Sequence, residues 1–307
     1  MTGNPNVRIS EKFAAADIVE LYFAQENINV ERYFDHGATI YLLECMDTGY
    51  RFYYPFSVVG DAEFYKELQN AHEKRGEEYD RDWEGDHQAA FDEIPSDSTV
   101  LEIGCNTGKF LKRVRGKTPN VFGLEFNPLA AEKARQKLLT VFDETVEIHS
   151  TENSEKYDVV CAFQVLEHIA EVKSFLQSIA KALKPNGKLI LSVPNNEPFY
   201  QRFSKYDVLN LPPHHVGLWN LRTFEKLGDF YDFKLVRHKF LLPSRLLVDV
   251  YLRAKFYANV KSLPRKHSLT EKMKITAMAP FALLRSSIEY IGTNPNYAHV
   301  VVVFEKK

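Results

Sequence analysis

Short apolar runs alternate with amphipathic stretches from residue 98 to 241. The runs 99–103, 120–124, 157–162 and 188–193 are rich in Val, Ile and Leu and short enough for buried strands. Between them lie segments with helical spacing. The clearest is 171–183, where Val172, Phe175, Leu176, Ile179 and Leu183 fall on one face. Asn127-Pro128 predicts a helix start, with asparagine as cap and proline at the first helical position, and that helix is expected to run to about Leu139. Asn220 caps a further helix from 221 to about 228. Strands are expected also at 145–149 and 233–241, and the β-branched run His299 to Phe304 reads as one more buried strand. Such β-α alternation predicts a mainly parallel sheet with helices on both faces.

The flanks differ. Residues 38–45 and 50–55 read as two strands about the turn Asp47-Thr48-Gly49, so 1–75 is expected to be a small β-rich appendage. Residues 61–93 are acidic and helix-prone, and include Trp83 and His87. Residues 244–293 hold nine basic and three acidic residues in a chain of net charge -2. They predict amphipathic helices broken near Pro264 and Pro280, with Ser268 to Glu271 as a capping box. The expected division is therefore 1–75, a core of 76–243 with 294–307, and a basic helical insertion at 244–293.

Composition narrows the class. Hydrophobic residues make up 45%, enough for a true core. The near-neutral charge and a pI near 6.6 give no footprint for nucleic acid. Cys45, Cys105 and Cys161 are too few and too scattered for a disulfide framework. The N-terminus has no signal-peptide pattern and no apolar run reaches the roughly 20 residues of a membrane span. A cytoplasmic location is the expectation.

The chemistry concentrates at Leu101-Glu102-Ile103-Gly104-Cys105-Asn106-Thr107-Gly108. A buried strand breaks here into a glycine turn and starts a helix, which brings bare backbone to a ligand. Glu125 ends the next strand, 21 positions after Gly104. The spacing lacks the third glycine of a dinucleotide fingerprint, and Gly108-Lys109-Phe110 lacks the hydroxyl of a Walker A loop.

Three more motifs follow in order: Gly123 to Pro128, Tyr157 to Ile169 with Phe163-Gln164-Val165-Leu166-Glu167-His168, and Leu183 to Pro194. Together they resemble the class I S-adenosylmethionine (SAM)-dependent methyltransferases over residues 98–241. The resemblance implies an α/β fold with a Rossmann-like seven-stranded sheet whose last strand is antiparallel, and SAM as cofactor. It implies that Gly104, Cys105, Asn106 and Gly108 approach the methionine part, and that Glu102 binds the amino group. Glu125 would take the ribose hydroxyls, Phe126 would flank the adenine, and Phe163 with Gln164 would face the reaction centre. Asn106 departs from the usual glycine, at a position where asparagine tolerates left-handed backbone.

The acceptor end is sought in Asn210-Leu211-Pro212-Pro213-His214-His215, after the fifth strand. Histidine is the natural base near neutral pH, so His214 or His215 is expected to take the acceptor's proton or orient the acceptor. His168 is a third candidate, with Glu167, and Asn195 and Asn196 are expected to line the pocket. Trp83 is read as simple packing in preference to a lid stacked over the cofactor. Cys45 to Tyr50 resembles the zinc-knuckle segment of some sugar and natural-product methyltransferases. Here only Cys45 of the cysteines remains, so no metal is expected and 1–75 is assigned to substrate gating or homodimerisation. The expected activity is O-methylation of a small molecule or glycan; 244–293 is read first as a solvated lid surface, with contact to an anionic or lipid-linked acceptor, or peripheral membrane contact, as the sharper alternative. C-methylation of a sugar or natural-product intermediate is the alternative, and a non-catalytic SAM-binding module is the alternative of another class.

Overall fold

The strand His299–Lys306 (β11) lies in the middle of a sheet although it is last in the chain. It pairs antiparallel with Leu183–Pro194 (β8) on one side and with Phe233–Leu241 (β10) on the other. Val300 to Phe304 are all buried, as a β-branched run between two neighbours requires. The structure is a computed structural model and describes residues 6–75, 85–196, 208–241 and 299–307. Trp83 and the basic insertion at 244–293 lie outside the described residues. Among the described residues no helix is long and apolar enough to cross a membrane.

The remaining strands of this sheet are Val100–Ile103 (β4), Val121–Leu124 (β5), Thr140–Phe142 (β6) and Tyr157–Phe163 (β7). The order is β10-β11-β8-β7-β4-β5-β6, with β4 to β8 parallel. The expected seven strands and the antiparallel last strand are present. Helices cover both faces. Gly85–Glu93 (α3), Lys109–Val114 (α4) and Pro128–Arg135 (α5) pack on one, in a core that includes Ala90, Phe110 and Ala131. Val146–Glu152 (α6), Val172–Ala182 (α7) and Leu221–Leu227 (α8) contribute to the other, around Val146, Leu176 and Phe224. The five apolar positions predicted to share a face at 171–183 are buried. Asn127 caps α5 by accepting from the backbone N–H of Leu129 at 3.0 Å, and Asn220 caps α8 through Thr223 N–H at 2.9 Å.

Two expectations fail. Residues 145–149 are not a strand. Val146, His149 and Ser150 recur at helical spacing and are buried, whereas Ile148 is 58% exposed. Thr145 caps the helix by accepting from Ile148 N–H at 3.2 Å, and the strand lies earlier, at β6. Helix α5 ends at Arg135 rather than Leu139 because Leu138 adopts a left-handed φ of 60°.

The N-terminal segment builds a second, four-stranded antiparallel sheet. It contains Val7–Ala14 (β1), Thr39–Cys45 (β2) and Arg51–Tyr54 (β3), with Ala15–Glu26 (α1) and Ala62–Lys74 (α2). Its fourth strand is Gly217–Leu218 (β9), from beyond the histidine loop. Val208, Leu211 and Leu218 enter the same apolar cluster as Ile18, Tyr22 and Phe64. The β1 strand and α1 were not legible in the sequence.

Candidate active site

The ends of β4 and β5 bring the glycine turn and Glu125 together. Gly104 and Gly108 have φ of 72° and 73°, and Asn106 takes the left-handed region at 46°. The Glu125 carboxylate holds this turn: one oxygen accepts from Asn106 N–H at 2.8 Å and the other from Asn127 N–H at 2.7 Å. Lys137 donates to the Thr107 carbonyl at 2.6 Å and closes the far side. Burial pushes the Glu125 carboxyl up despite these donors. Each carboxylate oxygen has a second lone pair, so the group retains acceptor capacity for a ligand.

A Cβ on Gly104 would meet Val165 Cγ2 at 2.7 Å, and one on Gly108 would meet Leu139 Cδ1 at 2.3 Å. Gly108 thus sets helix–sheet packing as well as the turn. Gly108→Ala is expected to cost about 1–3 kcal/mol, from positive φ and overpacking together. Urea denaturation reads this as a lower midpoint, and an unchanged midpoint would contradict the packing argument.

Glu102 is 4% exposed, and its Oε2 has no hydrogen-bond partner. Desolvation, then Glu125 and Asp86, hold its carboxyl well above the usual range. Asp86 lies at the start of α3, buried, and accepts from the Ser192 hydroxyl at 3.0 Å. Ser192 Oγ in turn accepts from the Gln164 amide at 3.0 Å. Three carboxylates in one low-dielectric region suit a cationic ligand. Sequence reasoning missed Asp86, which belongs to no motif, and Ser192, which lies within the Leu183 to Pro194 motif but was read there only as a strand position. Gln164 itself carries a positive φ of 55°, at a cost of order 1 kcal/mol at the mouth of the site. Phe163 stacks edge-on against Phe110 and His87, at 4.8 and 4.9 Å between centroids. Phe126 is 61% exposed beside Glu125. Cys105 turns its side chain into the core against Gly123, so only its backbone belongs to the turn.

The three candidate histidines converge. His214 and His215 stack at 4.5 Å between centroids, and His168 lies 4.7 and 4.9 Å from them. Val165 joins this cluster to the glycine turn: its side chain packs over Gly104 and its carbonyl accepts His168 N–H at 2.9 Å. His168 Nδ1 lies 2.7 Å from the His214 carbonyl. Burial lowers the His168 pKa to about 4, against the two carbonyls of His214 and Gln164 that favour its charged form. The Tyr65 hydroxyl, from α2, is 3.1 Å from His168 Nδ1. Tyr65 escaped the sequence reading because only tertiary packing brings α2 over the histidine loop.

The N-terminal segment holds that loop from below. Tyr22 donates to the carbonyls of Val208 and Leu211 at 2.7 and 2.9 Å, and Tyr53 to that of Asn210 at 3.1 Å. Arg51 donates to the Asn196 carbonyl at 3.0 Å, and the Asn210 amide bonds Asn196 Oδ1 at 2.8 Å. Asn195 and Asn196 are buried. Cys45 is buried in the β2–β3 hairpin, where Gly49 N–H donates to its carbonyl at 2.8 Å.

A parallel sheet with a glycine turn at its carboxyl edge, and an acid after the second strand, defines a nucleotide-type cofactor enzyme. Residues 75–238 match the family model described as Methyltransferase domain. That is more than half of the chain, and the protein belongs to the class I SAM-dependent methyltransferases. Among curated proteins it is 34% identical over 102 residues to a ubiquinone biosynthesis O-methyltransferase of Vibrio cholerae, covering 31% of this chain and 42% of that one. The counterpart from Nitrosomonas europaea is 30% identical over 109 residues, covering 34% and 46%. The matches span less than half the length of these relatives. A SAM-dependent methyltransferase structure from Archaeoglobus fulgidus aligns with a TM-score of 0.49 at 16% identity, over 80% of this chain and all of that one. The residues present fit SAM: Glu102 offers a buried oxygen without a protein partner for a cationic group.

Proposed function

We propose that the protein transfers a methyl group from SAM to an oxygen of a small-molecule acceptor, with His214 or His215 receiving the acceptor's proton. The observation that carries this is the histidine cluster joined through Val165 to the glycine turn. The relatives named O-methyltransferases favour oxygen over carbon as the target.

Bound SAM supplies an activated methyl on a sulfonium, so the protein's tasks are alignment, proton removal and exclusion of water. Glu102 would take the ammonium and Glu125 the ribose hydroxyls, with Phe126 beside the adenine. Gln164, fixed through Ser192, would orient the methyl-bearing end. His214 donates through Nδ1 to the Leu209 carbonyl at 2.9 Å, and His215 contacts Asn210 Oδ1 through Nδ1 at 3.1 Å. Nδ1 carries the proton in His214, since a carbonyl only accepts. In His215 the Asn210 amide, which donates to Asn196, assigns the same tautomer. Either ring then receives a proton at Nε2. Tyr65 and Phe64 close the appendage side and keep water from the acceptor oxygen.

Methyl-labelled SAM, offered with a panel of phenols, carboxylates and sugars, tests this. The expected result is label on the oxygen of a small acceptor. Label on carbon would move the protein to the alternative chemistry, and tight SAM binding without transfer to any acceptor would make it a binding module.

A further inference from the structure

We propose that His168, His214 and His215 form a site for a divalent d-block cation such as Zn²⁺ or Co²⁺, and that its occupation suppresses methyl transfer. The second half rests on the proposed function; the first stands on geometry. One ligand nitrogen from each ring lies within 4.8 Å of the other two. Zinc–imidazole bonds imply tetrahedral N···N edges of about 3.3 Å, so closure needs about 1.5 Å of movement shared among three side chains. His214 and His215 lie only 17° from parallel, so at least one ring must tilt for both to point at one ion. The second torsion of histidine is broad and soft enough to supply that tilt.

The surroundings resemble a prepared metal shell. Histidine ligands almost always engage their other ring nitrogen with an oxygen, which fixes the tautomer. Here all three do so through Nδ1: His168 to the His214 carbonyl, His214 to the Leu209 carbonyl, and His215 to Asn210 Oδ1. In His214 and His215 the neutral ring then leaves Nε2 unprotonated. Among the described residues no carboxylate belongs to the cluster. Imidazole-only donors suit Zn²⁺, Co²⁺ and Ni²⁺ and do not suit Mg²⁺ or Ca²⁺, which take oxygen. Phe64, 5.9 Å from His214 between ring centroids, supplies an apolar wall. Three protein ligands leave a fourth position open. No ligand spacing in the sequence announces the site, because His168 and the His214-His215 pair meet only through folding.

The ion would occupy the lone pairs that otherwise accept the acceptor's proton. It would also place positive charge near the cationic methyl donor. Both effects lower turnover.

Co²⁺ titration of the full-length, chelator-treated protein reads the site through its visible absorption. One equivalent is expected to bind, Zn²⁺ to displace it, and millimolar Mg²⁺ to leave it. His168→Ala, His214→Ala and His215→Ala should each weaken binding by about ten-fold or more. Retained binding of S-adenosylhomocysteine identifies variants that remain folded. Should any variant fail to fold, Co²⁺ protection of the wild-type histidines from diethylpyrocarbonate replaces it. No absorption band, unchanged affinity in folded variants, or no protection overturns the site. One equivalent of Zn²⁺ should also cut turnover at least about ten-fold, reversibly with chelator. Unchanged or higher turnover at saturating Zn²⁺ overturns the suppression. If the metal-free protein methylates no acceptor, the proposed function fails while the Co²⁺ titration still decides the site.

Discussion

Glu102→Gln is expected to stabilise the ligand-free protein above the ordinary carboxylate range while weakening SAM binding by roughly ten- to a hundred-fold, the worth of one charged hydrogen bond. The Glu102 carboxyl is desolvated, faces Glu125 and Asp86, and has one oxygen without a protein partner. Its folded pKa lies above the unfolded one. The unfolded chain therefore binds fewer protons once pH passes the unfolded value. The carboxyl's contribution is fully present below that value and is lost as pH rises through the raised folded one. Glutamine removes this pH dependence and the buried charge. On the proposed assignment, bound SAM would relieve the same strain in the wild type by placing its ammonium there, so the cofactor's stabilisation should grow with pH in the wild type and stay flat in the variant. Thermal denaturation across pH, with and without S-adenosylhomocysteine, measures both. A variant that melts below the wild type at pH 8 and binds as tightly would sink the assignment of Glu102 as the site's stored electrostatic cost.

The second large effect belongs to the histidine loop. Replacing the residue that takes the acceptor's proton should lower kcat by about 10²- to 10⁴-fold, the usual worth of a positioned base, with SAM affinity unchanged within a factor of about two. His214→Ala keeps the carbonyl that His168 contacts, so its loss isolates the side chain. His215→Ala also removes the contact to Asn210 and so loosens the loop. Added imidazole separates these roles. Rescue of turnover identifies the base, because imidazole refills a proton-accepting cavity but cannot re-tie a loop. Full activity in both variants would place proton removal elsewhere.

The cofactor half of the molecule was legible because its signals are local. A strand, a glycine turn and a helix start are neighbours in sequence, and Glu125 follows at the end of the next strand. Alternation gave a mainly parallel sheet, and the resemblance implied seven strands with the last antiparallel, a place that the β-branched run at 299–304 fits. The failure at 145–149 has an equally local cause: Val146 and Ile148 mimic strand alternation, but the cap at Thr145 and the buried His149 make a helix. The acceptor half was legible only as a list of residues. His168 and His214 are 46 positions apart, and nothing in their spacing states that their rings meet. Tyr65 and Asp86 had no signal at all, and the motif around Ser192 did not mark its hydroxyl, since each matters only through a partner from a distant element.

Strand β9 gives the architecture a practical consequence. Its two residues follow the histidine loop directly, yet they complete the N-terminal sheet. Anyone exchanging the N-terminal segment for that of another methyltransferase would therefore re-cut the wall and floor of the acceptor end. The turn that Glu125 holds, which takes no residue from the N-terminal segment or the histidine loop, would stay as it was. If the histidine loop holds the acceptor as proposed, substrate preference would be engineered apart from the cofactor turn, with residues 6–75 and 208–218 moved as one cassette.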